Sequence, residues 1–543
     1  MKPSTRIFLN SAAGMIGACG AQATDLPARK AAPAQYLQVC AVHGPGFFYI
    51  PRTDTCIRIG GRARFESVVL NAFNRATDPL SIHTHGRLAI DARTQTDWGL
   101  LRAYVRVSVS RNTGNGYFGS SAFQLAAYNF GFPTSGVTGF PSFAGVDTAS
   151  KLNSGVFISA AVVQWGGFTA GRIQSFFDFY ADNDTWFGIT DSDILTQALA
   201  YTYVFGSGFS ATLSIEDPRE RQRYPIAGVA LVEAGGINPV MATPPFTNAY
   251  PFAFSPFAAP FLTPGGILYT QRESVPDVVG VLRVDQAWGS AQLSAAYHRV
   301  STSGSTVVNL GPATGGGFTA NPLVPTVSGG YATVGGNAWA VQGGVKINLP
   351  TLAVGDYLYL EAAYTKGELS AVNSGPGVPF FGVGLGVGGT TFSSYDAVVG
   401  PTGHMTLTPA YSAIISFEHY WSPTLRSGFF GGAEHVNYNG SIRTAAGFAM
   451  GAACPTCLGT TMLALPGGPT PYNPFNPYYT GGIAYDIGTN LIWSPVTDLD
   501  IGVEVGYRRN KMQHKQYDTN SGVGKLIRED DTSVYRLRVS REF

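Results

Sequence analysis

The sequence has little charge and no long apolar run. Charged residues make up 13% of its 543 residues, about half of the ~25% that is usual in soluble domains. Hydrophobic residues are ordinary at 45%, and this combination is unusual for a soluble enzyme. No stretch reaches the ~18 consecutive apolar residues of a membrane-spanning helix. The composition therefore argues against a helical membrane protein, and glycine, with 68 residues, is abundant instead.

An excess of charge of one sign is also missing. The formal net charge is +1, and it becomes −1 when Lys2 and Arg6 are removed with the export signal at the start of the chain. Surfaces that bind nucleic acids are strongly basic. We therefore expect no nucleic-acid partner.

The first 23 residues have the pattern of a cleaved export signal. Two basic residues precede a short apolar stretch at 7–18, and an A-x-A cleavage site, "AQA", follows at 21–23. We expect the mature chain to begin at Thr24. The alternative is a lipoprotein cut before Cys19, because "IGAC" resembles a lipobox. In both cases the protein leaves the cytoplasm and reaches a compartment in which disulfides form.

Cysteine is scarce, with five residues in the chain. Besides Cys19, the other four form two local pairs, Cys40 with Cys56 and Cys454 with Cys457. The second pair is a CxxC motif, but a redox motif of this kind belongs in a thioredoxin-like βαβ context, which the sequence does not offer. Two disulfides that staple loops are the simpler interpretation.

Period-two alternation runs through most of the chain. In "VYRLRVSREF" (534–543), Tyr535, Leu537 and Val539 share one face and the arginines between them share the other, which is the pattern of a half-buried β-strand. Segments 56–66 and 100–110 alternate in the same way. Thirteen further segments do so, near 87–95, 155–164, 168–174, 196–204, 209–216, 277–286, 291–300, 338–348, 356–366, 406–419, 424–437, 483–493 and 499–510. Their lengths suit the ~9–11 residues of a strand that crosses a bilayer.

The connections between these sixteen segments alternate between short and long. The short ones include "TDWG" (96–99) and "FGSG" (205–208), and the long ones include 217–276 and 438–482. Five of the seven tryptophans lie in or beside short turns: Trp98, Trp165, Trp288, Trp421 and Trp493. Short periplasmic turns, long external loops and an aromatic girdle are typical of membrane barrels. The sequence therefore predicts an all-β fold, a 16-stranded antiparallel transmembrane β-barrel.

The last residue, Phe543, is expected to end the strand that closes this barrel. An even number of strands puts both ends of the barrel domain on the periplasmic side, so the last strand can pair with the first. Closure is required because an open edge in lipid would leave backbone N–H and C=O groups unpaired. Arg541, on the lipid-facing side, is tolerable because it lies near the end of the strand and can snorkel.

Several segments, in this order, resemble the alphaproteobacterial-type porins: "CAVHGPGFFYIPRTDTCIRIGGRAR", "PDVVGVLRVDQAWGSAQLSAAYH", "GVKINLP", "FEHYWSPTLRSGFFG", "NLIWSPVTDLDIGVEVGY" and the closing "REF". The match runs from Cys40 to Phe543. The resemblance implies an outer-membrane barrel of a Gram-negative bacterium, usually a homotrimer, surrounded by lipid and lipopolysaccharide. It implies passive diffusion of small hydrophilic solutes and ions, with no reaction and no cofactor.

We expect three units in the chain: a cleaved signal peptide (1–23), a short periplasmic N-terminal segment (24–55) and the barrel (56–543). The main alternative to a general diffusion porin is a substrate-selective channel with saturable binding. Such a channel would use aromatic side chains in the lumen, for which Tyr104, Tyr359 and Trp186 are candidates. A further alternative is surface interaction through long apolar loops, which depart from the family at 250–269 and 376–389.

Arginines dominate the inward positions of the first three predicted strands. They are Arg58, Arg62, Arg64, Arg93, Arg102 and Arg106, with Tyr104 among them. Because a 16-stranded barrel encloses water, these residues can form a basic ladder along one arc of the pore wall. The alternative is that they only solvate the lumen face or pair with Glu66 and Asp91.

The loop after the fifth predicted strand, "SFFDFYADNDTWFGITDSD" (175–193), is acidic. Its aspartates are Asp178, Asp182, Asp184, Asp191 and Asp193, and it contains no Lys or Arg. In 16-stranded porins the third loop folds into the barrel, so the resemblance puts this loop, with Trp186, at the constriction. Facing a basic wall, it would create a transverse field that orients dipolar solutes. A surface loop or a Ca²⁺ site are the alternatives, but the spacing is not that of an EF-hand.

The evidence for catalysis or metal binding is weak. His419 and His435 lie on neighbouring predicted strands with Ser416 near the first, but at opposite ends of the barrel. His83 and His85 in the first loop offer a metal two ligands, which is too few to predict a site. We therefore expect neither an enzyme nor a metal centre.

Overall fold

The computed structural model describes residues 38–70, 79–113, 153–221, 227–228, 230–232, 236–238, 267–271, 273–308, 326–327, 332–373, 386–387, 390–391, 396–399, 405–438, 440, 481–517 and 526–543. The predicted signal peptide, both cleavage alternatives, Cys454 and Cys457 lie outside these residues. Of the two apolar loop stretches, only 267–269 and 386–387 are described. The export signal and the CxxC disulfide therefore stay predictions.

Sixteen strands form one closed barrel. They are β1 Thr55–Leu70, β2 Leu80–Thr96, β3 Gly99–Thr113, β4 Asn153–Trp165, β5 Phe168–Gln174, β6 Leu195–Gly206, β7 Phe209–Glu216, β8 Asp277–Gln286, β9 Gly289–Val308, β10 Ala332–Asn348, β11 Tyr357–Lys366, β12 Pro409–Ser422, β13 Leu425–Val436, β14 Gly482–Val496, β15 Leu499–Tyr517 and β16 Leu526–Glu542. Every strand pairs antiparallel with its sequence neighbour. β16 pairs antiparallel with β1 and closes the ring, which confirms the predicted fold class.

Short helices and strands lie outside the sixteen barrel strands. The described helices are a short α-helix, α1, at Pro218–Arg221 and 3₁₀ turns at Ala41–His43 and Leu369–Ala371. Short strands lie at Phe48–Tyr49, Ala227–Gly228, Ala230–Val232, Gly236–Asn238, Ile267–Gln271, Thr326–Val327, Gly386–Val387, Thr390–Thr391, Ala397–Val399 and Met405–Leu407. Among the residues that the structure describes, no helix is both long and apolar enough to cross a membrane.

The outward face of the barrel is apolar and the inward face is polar. On β15, Val503 and Val505 are 49% and 44% exposed, whereas Glu504 between them is 2% exposed. The tryptophans of the short turns are exposed as well: Trp98, Trp165, Trp288, Trp421 and Trp493. Contact with lipid requires an apolar belt with aromatic residues at its rim. The apolar face of each alternating segment therefore contacts lipid, and the polar face lines the lumen.

The observed strands differ from the predicted segments mainly at their outer ends. β16 begins at Leu526 rather than 534, and β9 and β15 continue to Val308 and Tyr517. Lipid imposes the alternation only within the bilayer, so the charged outer extension of β16 gives no signal in the sequence. The strand predicted at 406–419 begins at Pro409, because Met405–Leu407 pairs with Ala397–Val399 instead.

The N-terminal segment enters the mouth of the barrel on the side of the short turns. Phe48–Tyr49 pairs with the start of β1, and a disulfide joins Cys40 to Cys56. The ring of Phe47 is buried, and the guanidinium carbons of Arg58 and Arg93 lie 5.1 and 4.7 Å from its centre. The sequence predicted this segment only as periplasmic. Its position against inward-facing arginines depends on side chains from two strands.

Phe543 lies just beyond β16 and completes the closure. Its backbone N–H donates to the carbonyl of Gly61 at 3.0 Å, and the N–H of Gly61 donates back at 2.9 Å. Arg541, two residues earlier, donates to the carbonyl of Thr497 in a short turn. Both residues therefore sit at the end of the barrel that carries the short turns.

Candidate channel constriction

The loop between β5 and β6, residues 175–194, folds into the barrel and is called L3 below. The side-chain amide of Gln292 on β9 donates to the carbonyl of Phe177 at 3.3 Å. Further along, the amide of Asn490 on β14 donates to the carbonyl of Asp184 at 2.7 Å. L3 therefore crosses the lumen from the wall near β9 to the wall near β14, as expected for the third loop of the predicted fold.

Three wall glutamates hold the backbone of L3. Glu216 on β7, Glu361 on β11 and Glu504 on β15 are all buried on the inward face. They accept hydrogen bonds from the N–H groups of Phe176 at 3.1 Å, Tyr180 at 2.9 Å and Trp186 at 2.7 Å, respectively. Carboxylates satisfy loop donors that no strand can reach, which buried backbone groups require. Sequence reasoning missed these glutamates, although each lies at an inward position of an alternating segment.

Glycines on the inward face make room for the aromatic side chains of L3. A Cβ at Gly506 would lie 2.5 Å from the ring of Phe187, and one at Gly502 would lie 2.7 Å from the ring of Trp186. Glycine within a strand commonly marks a close approach of another group. The abundance of glycine in the sequence is therefore partly explained by the packing of L3 against the wall.

The aspartates predicted at the constriction point mostly into L3 and its supports. Asp178, Asp184 and Asp191 are buried. Asp178 pairs with Arg221 of α1 at 3.0 Å, and Asp184 accepts a hydrogen bond from the hydroxyl of Tyr357 at 2.6 Å. Their carboxylates therefore hold L3 in place instead of facing open water.

Asp182 and Asp191 lie together near the tip of L3, and Asp193 lies at its base. Asp191 accepts a hydrogen bond from the backbone N–H of Asp182 at 2.7 Å, and Asp182 accepts one from Ile189 at 3.1 Å. The side chain of Gln174 donates to Asp193 at 2.9 Å. The first two bonds fix the turn near the loop tip, and the third joins the two ends of the loop at its base.

Burial weakens the acidity of these side chains. It raises the pKa of Asp182 to about 7, with a further contribution from Asp193. Burial, Asp182 and Glu361 raise the pKa of Asp191 well above its usual range. The pKa of Asp193 is raised by burial and by Asp178. At neutral pH the loop therefore carries less negative charge than five aspartates would suggest.

Trp186 at the tip of L3 contacts the basic wall. The guanidinium carbon of Arg538 on β16 lies 4.2 Å from the centre of its ring, which is a cation–π distance. Arg536, also on β16, donates to the carbonyl of Trp186. The tip of L3 thus lies against β16, the strand that pairs with β1 to close the barrel.

The inward face around this closure carries six arginines that we call the basic arc: Arg62, Arg64, Arg87, Arg106, Arg536 and Arg538. Glu66 on β1 lies within ion-pair distance of three of them, Arg538 at 2.5 Å, Arg536 at 3.4 Å and Arg64 at 3.5 Å. Glu542 pairs with Arg62. Arg106 donates to the hydroxyl of Ser159 at 3.1 Å. In the described part of the chain, six guanidinium groups therefore share two carboxylates within ion-pair distance.

Arg87, Arg536 and Arg538 were missed as wall residues in the sequence. Arg536 and Arg538 lie on the polar side of the alternation in the last segment, so their inward orientation was readable. Their place in the arc was not, because it depends on the register between β16 and β1, which the alternation does not give. Arg87 opens the segment 87–95 and shares the phase of Arg93.

The other predicted wall residues lie nearer the short-turn side and are paired. Arg102 and Arg93 both contact Asp91, each at 2.9 Å, and the guanidinium carbon of Arg102 lies 4.8 Å from the centre of the Tyr104 ring. Arg58 covers the ring of Phe47 as described above. These arginines are thus paired with Asp91 near the mouth, whereas those near the middle of the strands have fewer carboxylate partners.

His419 and His435, the two histidines considered for catalysis, lie far apart on their strands. His419 pairs with Asp356 at 2.6 Å near a short turn, and His435 stacks on Tyr411 at the other end of the same strand pair. The eight-residue offset on β12 corresponds to ~27 Å. Ser416 points inward and donates to Asp184 in L3.

The other candidate side chains also have structural partners. His83 and His85 stack with ring centres 5.9 Å apart on β2. Tyr359 is packed beneath L3 against Phe179 and Tyr180, with ring centres 5.6 and 5.3 Å apart. Tyr359 is therefore not free to stack on a passing solute.

Comparisons with known proteins agree with this architecture. The family model described as "Porin subfamily" matches residues 25–534. Porin Omp2b of Brucella suis is 26% identical over 431 residues, covering 76% of this chain and 98% of the relative. Porin Omp2b of Brucella abortus strain 2308 is 26% identical over 354 residues, covering 63% of this chain and 79% of the relative.

Solved structures similar to this chain include the outer membrane channel DcaP of Acinetobacter baumannii, with 12% identity, a TM-score of 0.47, and 91% and 99% of the two chains covered. An anion-selective porin from Comamonas acidovorans has 7% identity and a TM-score of 0.41, with 90% and 100% covered. The family match spans nearly the whole chain, on a closed 16-stranded barrel with an inward third loop. This protein therefore belongs to the porin subfamily and is a channel of the bacterial outer membrane rather than an enzyme.

Proposed function

We propose that the channel is a water-filled pore for passive diffusion of small hydrophilic solutes and ions, with a preference for anions. The observation that carries the preference is the imbalance of charge in the basic arc, where guanidinium groups outnumber the carboxylates that pair with them. Charged groups that line a narrow aqueous passage select ions of the opposite sign.

The position of L3 supports the same proposal. Its contacts join it to β7, β9, β11, β14, β15 and β16, so the faces of β1 to β3 border the lumen that remains. The L3 aspartates are buried or have raised pKa values, as described above. The transverse field predicted from the sequence is therefore expected to be weaker on the acidic side than on the basic side.

The oligomeric state is a further proposal. Porins of this type are usually homotrimers, and membership of the subfamily supports the same state here, with outer-membrane lipid and lipopolysaccharide around the barrel. Light scattering of the protein in detergent measures the mass directly. A monomeric mass in every detergent tested would contradict the trimer without affecting the proposed permeation.

Single-channel recording in a planar bilayer, with a KCl gradient across it, tests the function. We expect stepwise, ohmic conductance and a reversal potential on the chloride side. Absence of conductance from correctly folded protein would contradict an open pore. A reversal potential on the potassium side would contradict the anion preference alone.

A matched pair of variants tests which charge is responsible. Arg106→Gln removes one positive charge from the basic arc, and its reversal potential should move towards potassium. Arg509→Gln removes one positive charge from β15 outside the basic arc, where Arg509 pairs with Glu529 at 2.9 Å. It should leave the reversal potential unchanged. Equal shifts in both variants would assign the selectivity to net charge rather than to the constriction.

A further inference from the structure

We propose that four residues of the basic arc form a binding site for a tetrahedral oxyanion, either inorganic phosphate or the phosphate group of a small solute. These residues, Arg62, Arg64, Arg87 and Arg106, are called the oxyanion patch. The proposal rests on the proposed channel function and names a substrate class for it. It adds a saturable step to a pore that otherwise passes anions without binding them.

Strand register brings the four arginines together. Arg62 on β1 and Arg87 on β2 are direct cross-strand partners. Ser108 on β3 is the partner of Arg87, so Arg106 occupies the diagonal position on the same face, ~7–8 Å from Arg87. Arg64 is the next inward residue after Arg62, ~7 Å along β1. Side chains as long as arginine therefore reach one common volume above these positions.

Such a grouping is unfavourable without an anion. Like charges that face each other directly across two strands repel, and Arg62, Arg64 and Arg106 all act electrostatically on Arg87. Within the described residues, the guanidinium group of Arg87 makes no hydrogen bond or ion pair, although its backbone is paired with both neighbouring strands. The Nε atoms of Arg64 and Arg87 and the Nδ1 atom of His85, the partner of Arg64 in register, are buried and have no hydrogen-bond partner.

The nearby carboxylates are already engaged. Glu66 lies between Arg64, Arg536 and Arg538, and Glu542 lies against Arg62. Asp91 binds Arg93 and Arg102. Glu542 also acts electrostatically on Arg87, but no carboxylate of the described residues lies within ion-pair distance of Arg87 or Arg106. We therefore expect an anion from the pore to complete their neutralisation.

The chemistry of the patch selects the class of anion. A guanidinium group offers a planar fork of N–H donors that matches two oxygens of a phosphate or carboxylate. Several forks around one point match an anion with oxygens in several directions, which phosphate has and chloride or a monocarboxylate lacks. The side chains of Arg62 and Arg64 are about one fifth exposed to the lumen, so a solute in the pore reaches them.

The patch is also suited to passage rather than to permanent capture. The side chains of Arg62 and Arg64 are partly exposed rather than fully buried. Partial exposure weakens each ion pair through solvent screening. We therefore expect binding that saturates but is reversible on the timescale of conduction.

Titration of phosphate into a chloride current tests the proposal on the full-length protein. In symmetric KCl at pH 8, inorganic phosphate should reduce the chloride current with a saturable dose dependence, and acetate should not. Arg87→Gln should raise the half-blocking phosphate concentration at least tenfold. Glucose 6-phosphate compared with glucose tells whether the phosphate group of a larger solute is accepted.

Arg283→Gln is the matched control. Arg283 is also inward-facing, but it lies on β8 and pairs with Asp285 at 2.8 Å. Phosphate should therefore block the current through this variant at the same concentration as in the wild type. If phosphate block weakened equally in both variants, the total charge of the lumen would explain the block, and the proposed oxyanion patch would be overturned. Heat-modifiable mobility in electrophoresis checks that each variant is folded.

The failure of this proposal is distinguishable from failure of the channel function. A conducting pore that phosphate blocks without saturation overturns the site and leaves the pore. If folded protein does not conduct, equilibrium dialysis of radiolabelled phosphate against the detergent-solubilised protein and its Arg87→Gln variant still tests the site. Wild-type binding no greater than that of the variant overturns it.

Discussion

At the scale of single residues, the most connected carboxylate of the pore wall is Glu66. It is buried on the inward face of β1 and lies within ion-pair distance of Arg64, Arg536 and Arg538. Glu66 thus limits the positive potential of the arc next to the tip of L3, together with Glu504, which accepts the backbone N–H of Trp186 and acts electrostatically on Arg536 and Arg538. Its removal should have a larger effect on permeation than the loss of one exposed acid.

We predict that Glu66→Gln increases the preference for anions. One unit charge at ~4 Å is worth ~1 kcal/mol in water, which corresponds to a change of up to ~fivefold in the ratio of anion to cation permeability. The measurement is the reversal potential under a KCl gradient. Glu529→Gln, on the outer extension of β16, is the control, and an unchanged potential in Glu66→Gln would contradict the assigned role.

The tip of L3 should make the selectivity depend on pH. Because burial raises the pKa of Asp182 to about 7, this carboxyl gains its proton as the pH falls from 8 to 5, and the constriction loses negative charge. The reversal potential should therefore move towards chloride over this range. In Asp182→Asn, the part of the shift centred near pH 7 should disappear.

The same shift has a consequence for the stability of the loop tip. The folded-state pKa of Asp182 lies above the unfolded value of ~3.9, so the folded loop binds more protons between these two values. The packing of the tip is therefore most favourable below ~pH 4 and weakens as the pH rises towards 7. Current noise that falls with rising pH would contradict this sign.

At the scale of elements, L3 is anchored at its base by a fully buried ion cluster. Arg221 of α1 lies 3.0 Å from Asp178 of L3, 3.7 Å from Glu216 of β7 and 3.8 Å from Glu368 in the loop after β11. Burial lowers the pKa of Arg221, but the three carboxylates raise it by more than burial lowers it. The guanidinium therefore stays charged. Three external loops thus share one cation.

We predict that Arg221→Met loosens L3 without preventing barrel formation. Breaking a buried ion pair by removing one partner costs ~3–5 kcal/mol, because the other charge stays uncompensated. We expect noisier current and faster proteolysis within 175–194. Arg219→Met, two residues earlier and 68% exposed at its side chain, is the control and should behave like the wild type.

At the scale of the whole molecule, the barrel is closed by the pairing of β1 with β16, and this pairing ends in a contact between Gly61 and Phe543. Gly61 exchanges two backbone hydrogen bonds with Phe543. A Cβ at Gly61 would also lie 2.5 Å from the carbonyl oxygen of Arg87 and would overlap the Phe543 ring. Glycine at this position therefore allows the last residue to lie flat against the first strand.

We predict that Gly61→Val impairs closure. An unclosed edge leaves backbone groups unpaired in lipid at several kcal/mol each, so the variant should lose its heat-modifiable, folded form in electrophoresis. Gly86→Val on β2 is the control, because a Cβ at Gly86 meets nothing within 4 Å. A fully folded Gly61→Val barrel would contradict the role of this contact.

The sequence alone determined the strands, their faces and the placement of turns. Lipid on one side and water on the other impose a two-residue alternation that is local, so sixteen strands and the inward phase of Arg62, Arg64 and Arg106 could be read one segment at a time. The same local signal could not give the outer extensions of the strands, where no lipid imposes it.

Tertiary structure alone decided which of these side chains meet. Closure put Arg536 and Arg538 beside Glu66, about 470 positions earlier in the chain. The fold of L3 buried Asp184 against Tyr357 and Asn490, so most acids of this loop became anchors rather than open pore charges. Such contacts depend on the register between strands and on packing in the lumen, which are long-range properties that no alternating pattern encodes.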